Sequence, residues 1–161
     1  MVNRLEVAWT LATVALITGV AVYSTVLLYQ IDALPTHPAE YIDVVGNQWY
    51  WTFHYPQNGT WFNVSYQAPP AGSPVGDLGN FSGGALWAAP GTTIQINVTS
   101  NDVVHSFNIP ALGIRLDAIP GRWNSIGFQI PNVAAGTEYL IQCTEFCGTF
   151  HGTMRADLVV T

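Results

Sequence analysis

Residues 93–98, Thr93-Ile-Gln-Ile-Asn-Val98, alternate polar with apolar side chains, and this is the period of a β-strand that buries one face. Similar runs, separated by Gly, Pro and Asn turns, recur on both sides of the segment. They predict strands over Tyr41–Tyr55, Thr60–Gln67, Thr92–Thr99, His105–Ile109, Ile114–Ala118, Trp123–Gln129, Glu138–Cys143 and Arg155–Val160. Many short strands with regular turns predict a mainly β protein, a sandwich or barrel of Greek-key type.

The N-terminal segment carries no charged residue from Val7 to Ile31. As a helix it would be roughly 37 Å long, enough to cross a hydrocarbon core of about 30 Å. We therefore expect residues 1–31 to form a single transmembrane anchor. The alternative is a signal peptide, whose apolar segment is shorter and ends at a cleavage site. Arg4 precedes the run and Asp32 follows it, which predicts a cytoplasmic N-terminus in the cell membrane and a large domain on the outer, periplasmic side.

Beyond the anchor the sequence predicts one further domain. Residues 32–40, with two prolines, predict a linker, and residues 41–161 predict one folded domain in which the Pro-, Gly- and Ser-rich stretch 68–84 is a surface loop. The net charge is −6, with four Arg and no Lys. Because there is no basic cluster, we expect no nucleic-acid partner. An acidic surface would attract a basic partner, although ordinary solvation explains the charge equally well.

Two thiols, an imidazole and a thioether fall within twelve residues in Cys143-Thr-Glu-Phe-Cys147-Gly-Thr-Phe-His151-Gly-Thr-Met154. The loop lies between two predicted strands, and a sheet would hold its ligands rigidly. Soft sulfur together with imidazole favours copper over zinc, magnesium or calcium. We expect a second imidazole from a neighbouring strand, where His105 interrupts an apolar run. The alternatives are a structural disulfide, a hydrogen-bonded core histidine at His105 and a plain core methionine at Met154.

Three segments resemble the cytochrome c oxidase subunit II family and occur in that family's order. The loop of residues 143–154 resembles its dinuclear copper (CuA) loop. The other two segments are His105-Ser-Phe-Asn-Ile-Pro-Ala-Leu-Gly-Ile-Arg-Leu-Asp-Ala-Ile-Pro-Gly-Arg122, similar to its middle block, and Gly46-Asn-Gln-Trp-Tyr-Trp-Thr-Phe53, similar to its aromatic strand. The resemblance implies one N-terminal transmembrane helix followed by a cupredoxin-like Greek-key β-sandwich.

The resemblance also implies a dinuclear copper centre and its ligands. Six residues would hold the two ions: His105, Cys143, Glu145, Cys147, His151 and Met154. Both thiolates would bridge the ions. The first histidine and the methionine would complete one copper, and the second histidine and the backbone carbonyl of the glutamate would complete the other. A rigid loop in an apolar shell keeps the reorganisation on electron transfer small.

The function implied by the resemblance is that of the electron-accepting subunit of a membrane-bound haem–copper terminal oxidase. Electrons would arrive from a small soluble carrier, a cytochrome c or a blue-copper protein. They would pass to the haem-containing catalytic subunit, subunit I, which reduces O2 to water. Other membrane subunits are implied as partners, because the family commonly has a two-helix hairpin and this chain has one helix.

Two further groups of residues take roles from the resemblance. Electrons would enter at an aromatic group with Trp49 as its exposed contact: Trp49, Tyr50 and Trp51. Contact with the catalytic subunit, and the exit of electrons, would involve three charged residues: Arg115, Asp117 and Arg122. Ordinary packing is the alternative for the aromatic residues, and ordinary surface charge is the alternative for the others. The side chain of Glu145 is a further candidate for a second metal or a subunit contact.

Two other functions remain open from the sequence. One is a quinol-oxidase subunit II, a metal-free domain of the same fold, although those relatives lack copper ligands. The other is an unrelated anchored copper chaperone, although a chaperone needs an open and exchangeable site.

Overall fold

The computed structural model of the chain describes residues 3–67, 80–82 and 85–161. Residues 1–33 and residues 34–161 form two separate compact units. The first unit holds α1 (Arg4–Ile31), and the second holds the described strands and two short 3-10 helices, Pro110–Leu112 and His151–Thr153. The strands are, in chain order, β1 (Glu40–Asn47), β2 (Tyr50–Tyr55), β3 (Thr60–Gln67), β4 (Asn80–Ser82), β5 (Leu86–Ala88), β6 (Thr93–Ser100), β7 (His105–Ile109), β8 (Ile114–Ala118), β9 (Asn124–Gln129), β10 (Glu138–Cys143) and β11 (Arg155–Val160).

The helix α1 begins at a reciprocal cap. The side chain of Asn3 accepts a hydrogen bond from the backbone N–H of Leu5, and the Glu6 carboxylate accepts one from the backbone N–H of Asn3. These bonds satisfy two of the free N–H groups of the first turn. The helix buries none of its residues, and its mean hydropathy reaches 2.1. By length and composition it is able to cross a membrane.

The β-domain is a sandwich of two sheets. The first has the strand order β4-β3-β2-β1-β6-β9 and the second has the order β5-β11-β10-β7-β8. Strand β1 runs parallel to β6 and β5 runs parallel to β11, while the other neighbours are antiparallel. The predicted fold class, one N-terminal helix followed by a β-sandwich, is confirmed.

The prediction of a single strand over Tyr41–Tyr55 is wrong. The segment forms a hairpin, in which β1 and β2 pair with Asn47 opposite Tyr50. The turn between them contains Gln48 and Trp49, which carry none of the usual turn signals of Gly, Pro or Asp. Strands β4 and β5 were also not predicted, because each has only three residues. Apart from β4, most of the predicted loop over 68–84 lies outside the described residues.

Alternating side chains of β2 fill the space between the sheets. Trp51 and Phe53 have no exposed surface, whereas the intervening side chains face outward and are half-buried. The Trp51 ring packs edge to face against Phe107 of the opposite sheet, with the ring centroids 5.4 Å apart. This pair connects the two sheets at one end of the core.

At the other end of β2, one tyrosine joins the two sheets. The Tyr55 hydroxyl donates to the carbonyl of Trp87 at 2.9 Å and accepts from the N–H of the same residue at 2.8 Å. Burial, the largest effect, raises the pKa of Tyr55 to about 12, so the hydroxyl stays protonated and keeps its donor. Strand β5 is thereby fastened to the first sheet as well as to β11.

Part of the predicted linker packs on the domain. The Pro35 ring lies directly over Gly127 of β9, where an added Cβ would come within 2.1 Å of the proline Cδ. The N–H of Ala39 donates to the carbonyl of Thr93 at 2.7 Å. Residues 34–39 therefore belong to the same compact unit as the sandwich.

Replacing Trp51 by Ala should lower the free energy of unfolding of the β-domain by about 3–5 kcal/mol, because the change leaves a large cavity between the sheets. Denaturant unfolding followed by circular dichroism measures the effect. Trp61→Ala is the matched control on the neighbouring strand, since that indole is 60% exposed and its loss should cost at most about 1 kcal/mol. Equal losses in the two variants would contradict the assigned core.

Candidate metal centre

Three soft ligand groups meet at one end of the sandwich. The Nδ1 atom of His105 lies 3.9 Å from the Sγ of Cys143, which lies 3.8 Å from the Sγ of Cys147. A single ligand atom from each of the three residues falls within 4.8 Å of the others, and all three residues are buried. They come from the start of β7, the end of β10 and the loop that follows β10.

The remaining predicted ligands lie against the two thiols. The Nδ1 of His151 is 3.4 Å from the Cys147 sulfur, and the Sδ of Met154 is 3.9 Å from the same atom. The backbone carbonyl of Glu145 is 3.2 Å from the Cys143 sulfur. The structure therefore brings together the side chains and the carbonyl that the sequence singled out.

The two cysteines are free thiols. Their separation of 3.8 Å is far longer than the roughly 2.05 Å of a disulfide bond. The disulfide alternative does not describe this structure, and both sulfurs remain available to a metal.

Strand pairing holds the ligand loop closed at its base. The N–H of Cys143 donates to the carbonyl of Met154, and the N–H of Thr144 donates to the carbonyl of Ser106, each at 3.0 Å. The first bond joins the two ends of the loop, and the second joins the loop to β7. The loop cannot open without breaking hydrogen bonds of the second sheet.

The imidazole of His105 fits against a glycine. A Cβ added at Gly46 of β1 would lie 2.8 Å from the Cδ2 of His105, closer than atoms of a side chain tolerate. On another side the Trp51 ring lies edge-on, with the ring centroids 6.1 Å apart. The Nε2 of His105 is 2.8 Å from a carboxylate oxygen of Asp102. Because a carboxylate accepts but does not donate, Nε2 carries the proton and Nδ1 is free to bind a metal.

Two side chains of the β1–β2 turn bind the carbonyl of Cys147. It accepts one hydrogen bond from the side-chain amide of Gln48 at 2.8 Å and one from the indole N–H of Trp49 at 3.1 Å. The next residue, Gly148, has φ +116°, a conformation that residues with a Cβ rarely adopt. The turn and the ligand loop therefore fit together only with glycine at this position.

The two thiols differ in acidity. Burial raises the pKa of Cys143, but hydrogen bonds, chiefly that with His105, outweigh burial and lower this pKa to about 7. Burial and then the negative charge of Cys143 raise the pKa of Cys147. For His105 burial lowers the pKa, and the interactions with Cys143 and Asp102 raise it by more. A cation that binds here must displace the proton of the second thiol.

The predicted aromatic group is only partly at the surface. Trp51 is completely buried, so its assignment to a surface where electrons enter is wrong: it is a core residue because it faces inward on β2. Trp49 and Tyr50 are half-buried. The exposed aromatic side chains near the ligands are Phe146 (79%) and Phe150 (55%). Neither was among the residues predicted from the sequence as the site of electron entry.

Each phenylalanine packs beside a residue of the candidate metal centre or of the turn that holds it. The ring of Phe150 meets Trp49 edge to face, with the centroids 4.9 Å apart, and the centroid of Phe146 is 5.9 Å from that of His151. The sequence did contain a signal, since these two large apolar residues stand in a short loop otherwise made of Gly, Thr and ligands. Their position in the loop, away from any predicted strand, was the sequence signal that they could lie at the surface.

The three predicted charged residues lie together on β8 and the turn that follows it. Arg115, Asp117 and Arg122 line one surface depression. Arg115 also reaches the Glu145 carboxylate, with the nitrogen and oxygen 3.8 Å apart, and its Nε donates to the hydroxyl of Ser106 at 3.1 Å. This charged group is therefore connected to the ligand loop through one arginine.

The donor set fits copper. It offers two thiols, two imidazole nitrogens, a thioether and a carbonyl oxygen, and sulfur with imidazole is the combination that soft copper ions prefer. Zinc sites rarely use a thioether. The burial of His105, Cys143 and Met154 keeps these donors away from solvent, which suits electron transfer between fixed ligands better than chemistry on a bound substrate.

Comparisons with known proteins agree with this geometry. Residues 41–160 match the family model of the cytochrome c oxidase subunit II periplasmic domain. The chain is 34% identical to cytochrome c oxidase subunit 2 of Arabidopsis thaliana and 38% identical to that of Cyanidium caldarium, over 94% and 93% of this chain. It spans 60% of the length of each of these curated relatives.

A solved structure is similar over the β-domain. The periplasmic domain of subunit II of cytochrome oxidase from Bradyrhizobium japonicum superposes with a TM-score of 0.67 at 31% sequence identity. The match covers 80% of this chain and 88% of that one.

Replacing Gly46 by Ala should lower the affinity for copper at least about tenfold, because the added Cβ pushes the His105 ring from its position beside the thiols. Competition with a copper chelator measures the affinity. The control is Gly152→Ala in the ligand loop, where an added Cβ meets nothing within 4 Å and the affinity should be unchanged. Wild-type affinity in the Gly46 variant would show that His105 does not need this position.

Proposed function

Because the chain belongs to the cytochrome c oxidase subunit II family, we propose that it is the electron-accepting subunit of a membrane-bound haem–copper terminal oxidase. It takes electrons from a small soluble carrier and passes them to the haem-containing catalytic subunit, which reduces O2 to water. The observation that carries this proposal is the cluster of two free thiols, two imidazoles and a thioether in one loop and one adjacent strand, in which every member but His151 is buried.

The residues of the cluster have separate roles in holding a dinuclear copper centre. Cys143 and Cys147 would hold both ions, His105 and Met154 would hold one of them, and His151 and the carbonyl of Glu145 would hold the other. When bound, such a centre supplies one-electron transfer with little change in bond lengths. The closed base of the loop and the surrounding core keep the ligands in place during this transfer, which keeps the reorganisation small.

The same features argue against the two alternative functions. A metal-free structural subunit has no use for six donor groups arranged around a common point. A copper chaperone needs ligands that a partner protein can reach, whereas Cys143, Cys147 and Met154 are buried. The cluster supports a resident metal.

Electrons enter through the aromatic group beside the ligand loop. Trp49 is bonded through its indole N–H to the carbonyl of Cys147, which gives a short route from the edge of the domain to a bridging ligand. Phe146 and Phe150 form an apolar rim next to Trp49 and His151. Trp49 and Tyr50 thus keep the role predicted from the sequence, and the two phenylalanines join them.

The soluble donor docks by apolar contact at this rim. In the two adjoining loops, the Glu145 carboxylate lies 3.8 Å from the Arg115 guanidinium, which offsets its charge, and the Asp102 side chain retains only 32% of its surface. A cytochrome c or a blue-copper protein that presents an apolar patch around its own redox centre fits this surface. Steering by charge contributes less to its encounter than contact area does.

Electrons leave through the charged group on β8. Arg115, Asp117 and Arg122 contact the catalytic subunit, and the bond from Arg115 to Ser106 connects that contact to the strand that carries His105.

The helix α1 anchors the subunit in the cell membrane with its N-terminus in the cytoplasm and the copper domain outside, as the position of Arg4 ahead of the apolar run indicates.

Loading the detergent-solubilised chain with copper tests the centre itself. We expect a purple protein with two coppers, whose electron paramagnetic resonance spectrum shows hyperfine structure from two equivalent nuclei. Met154→Leu should shift the reduction potential while the unfolding midpoint changes little, because the two side chains have similar volume. The spectrum of a single blue-copper ion, or no copper binding, would refute the proposal.

Stopped-flow reduction of the copper-loaded chain tests the docking surface, with a cytochrome c and a blue-copper protein as donors. Phe146→Ala should slow the second-order reduction by about tenfold. This corresponds to the loss of roughly 1.4 kcal/mol of contact energy between the phenylalanine ring and the donor. Trp61→Ala, which removes an exposed aromatic side chain on β3 of the first sheet, is the control and should leave the rate unchanged. A steep salt dependence with no effect of Phe146→Ala would favour docking by charge.

A further inference from the structure

Asp102 accepts hydrogen bonds from three directions. One carboxylate oxygen accepts from the Nε2 of His105 at 2.8 Å and from the N–H of Val103 at 2.6 Å, and the other accepts from the N–H of Gln48 at 2.7 Å. The Ser100 hydroxyl donates to the carbonyl of Val103 and accepts from the backbone N–H of Asp102 at 3.2 Å, which holds the turn that carries the carboxylate. A carboxylate with this many donors has one orientation, and it passes that orientation on to the imidazole.

Gln48 continues the same network to the other side of the centre. Its backbone N–H holds Asp102, and its side-chain amide holds the Cys147 carbonyl at 2.8 Å. One turn residue is therefore bonded, directly or through a single carboxylate, to a ligand from β7 and to a ligand from the β10–β11 loop. Those two ligands lie on separate stretches of chain, and Gln48 connects them without touching the position of a metal.

We propose that Gln48 and Asp102 are positioning residues that fix His105 and Cys147 relative to each other, so that the ligands are arranged before a metal arrives. Asp102 sets the proton on Nε2 and leaves Nδ1 facing the thiols. Gln48 sets the distance between His105 and Cys147. The inference rests on the proposed function, since it concerns the residues that hold the copper centre.

The exposure of Gln48 supports this role over a contribution to folding. The Gln48 side chain is exposed, so its neutral hydrogen bond to the Cys147 carbonyl replaces a bond to water and adds little to stability. The hydrogen bonds to the Asp102 carboxylate are charge-assisted, so they stabilise the turn as well as orienting the imidazole. Their arrangement around two ligands is explained by the geometry that it imposes on the centre.

The test uses the full chain in detergent with Asp102→Ala and Gln48→Met, and with Glu138→Ala and Gln129→Met as matched controls. Glu138 is an exposed carboxylate on β10, and Gln129 donates its side-chain amide to the carbonyl of Gly91 in the same way as Gln48 does to Cys147. We expect each site variant to lower copper affinity about 10–100-fold by chelator competition. For Gln48→Met the unfolding midpoint of the metal-free protein should change no more than in Gln129→Met, whereas Asp102→Ala should lower it, because three hydrogen bonds to the carboxylate are lost.

A second measurement reports on the imidazole directly. In the reduced, diamagnetic copper-loaded protein, the Nε2 proton of His105 should exchange slowly with water because it is bonded to a carboxylate. In Asp102→Ala this proton should exchange at least about tenfold faster, because the variant lacks the charge-assisted hydrogen bond that holds it. Gln48→Met leaves that bond in place but should shift the reduction potential, because the Cys147 carbonyl moves.

The outcomes separate this inference from the proposed function. If the unchanged chain gives no mixed-valence copper spectrum, the proposed function fails. If it does, and both site variants keep wild-type affinity, potential and proton exchange, only the positioning role is overturned. Should Asp102→Ala not fold, Gln48→Met decides alone, since it removes one exposed amide and no core contact.

Discussion

The pairing of β10 with β7, which sets Cys143 opposite Phe107, brings together ligands that are 38 residues apart in the chain. A sheet pairing of this kind fixes positions to within a fraction of a residue, because a shift by one residue would turn every side chain to the other face. Cys143 and His105 therefore both face inward, and the loop that begins at Cys143 starts beside the imidazole. The other ligands follow within that loop.

Placing these ligands in the interior has a cost that the surroundings offset. Thiols and imidazoles lose hydration when buried, and the loss is tolerable only where each polar atom finds a partner. Here His105 is bonded to Asp102 at one nitrogen and faces Cys143 at the other. The apolar wall formed by Trp51 and Phe107 excludes water from the same space, which strengthens the remaining polar interactions.

The sequence predicted much of this arrangement, and the misses have identifiable physical reasons. Alternation over residues 93–98 correctly predicted a half-buried strand, observed as β6 (Thr93–Ser100), because period two reports directly which face is inside. The hairpin between β1 and β2 was missed because its turn at Gln48 and Trp49 lacks turn-forming residues. The inward orientation of Trp51 follows from the register of β2, and a run of three aromatic residues does not reveal which of them face the core. The residues predicted as ligands lie together in the structure, but the contacts of Gln48 and Asp102 depend on tertiary structure and have no sequence signal.

The hydroxyl of Tyr55, bonded to both backbone groups of Trp87, has a consequence for how the domain opens. It joins the two sheets at the end of β2 that lies away from the thiols. At the thiol end the sheets are joined by other contacts, the bonds of Gln48 and Trp49 to the Cys147 carbonyl and the packing of Trp51 on Phe107. Opening the sandwich at either end therefore breaks contacts between the sheets, but only opening at the thiol end separates the ligand residues from one another.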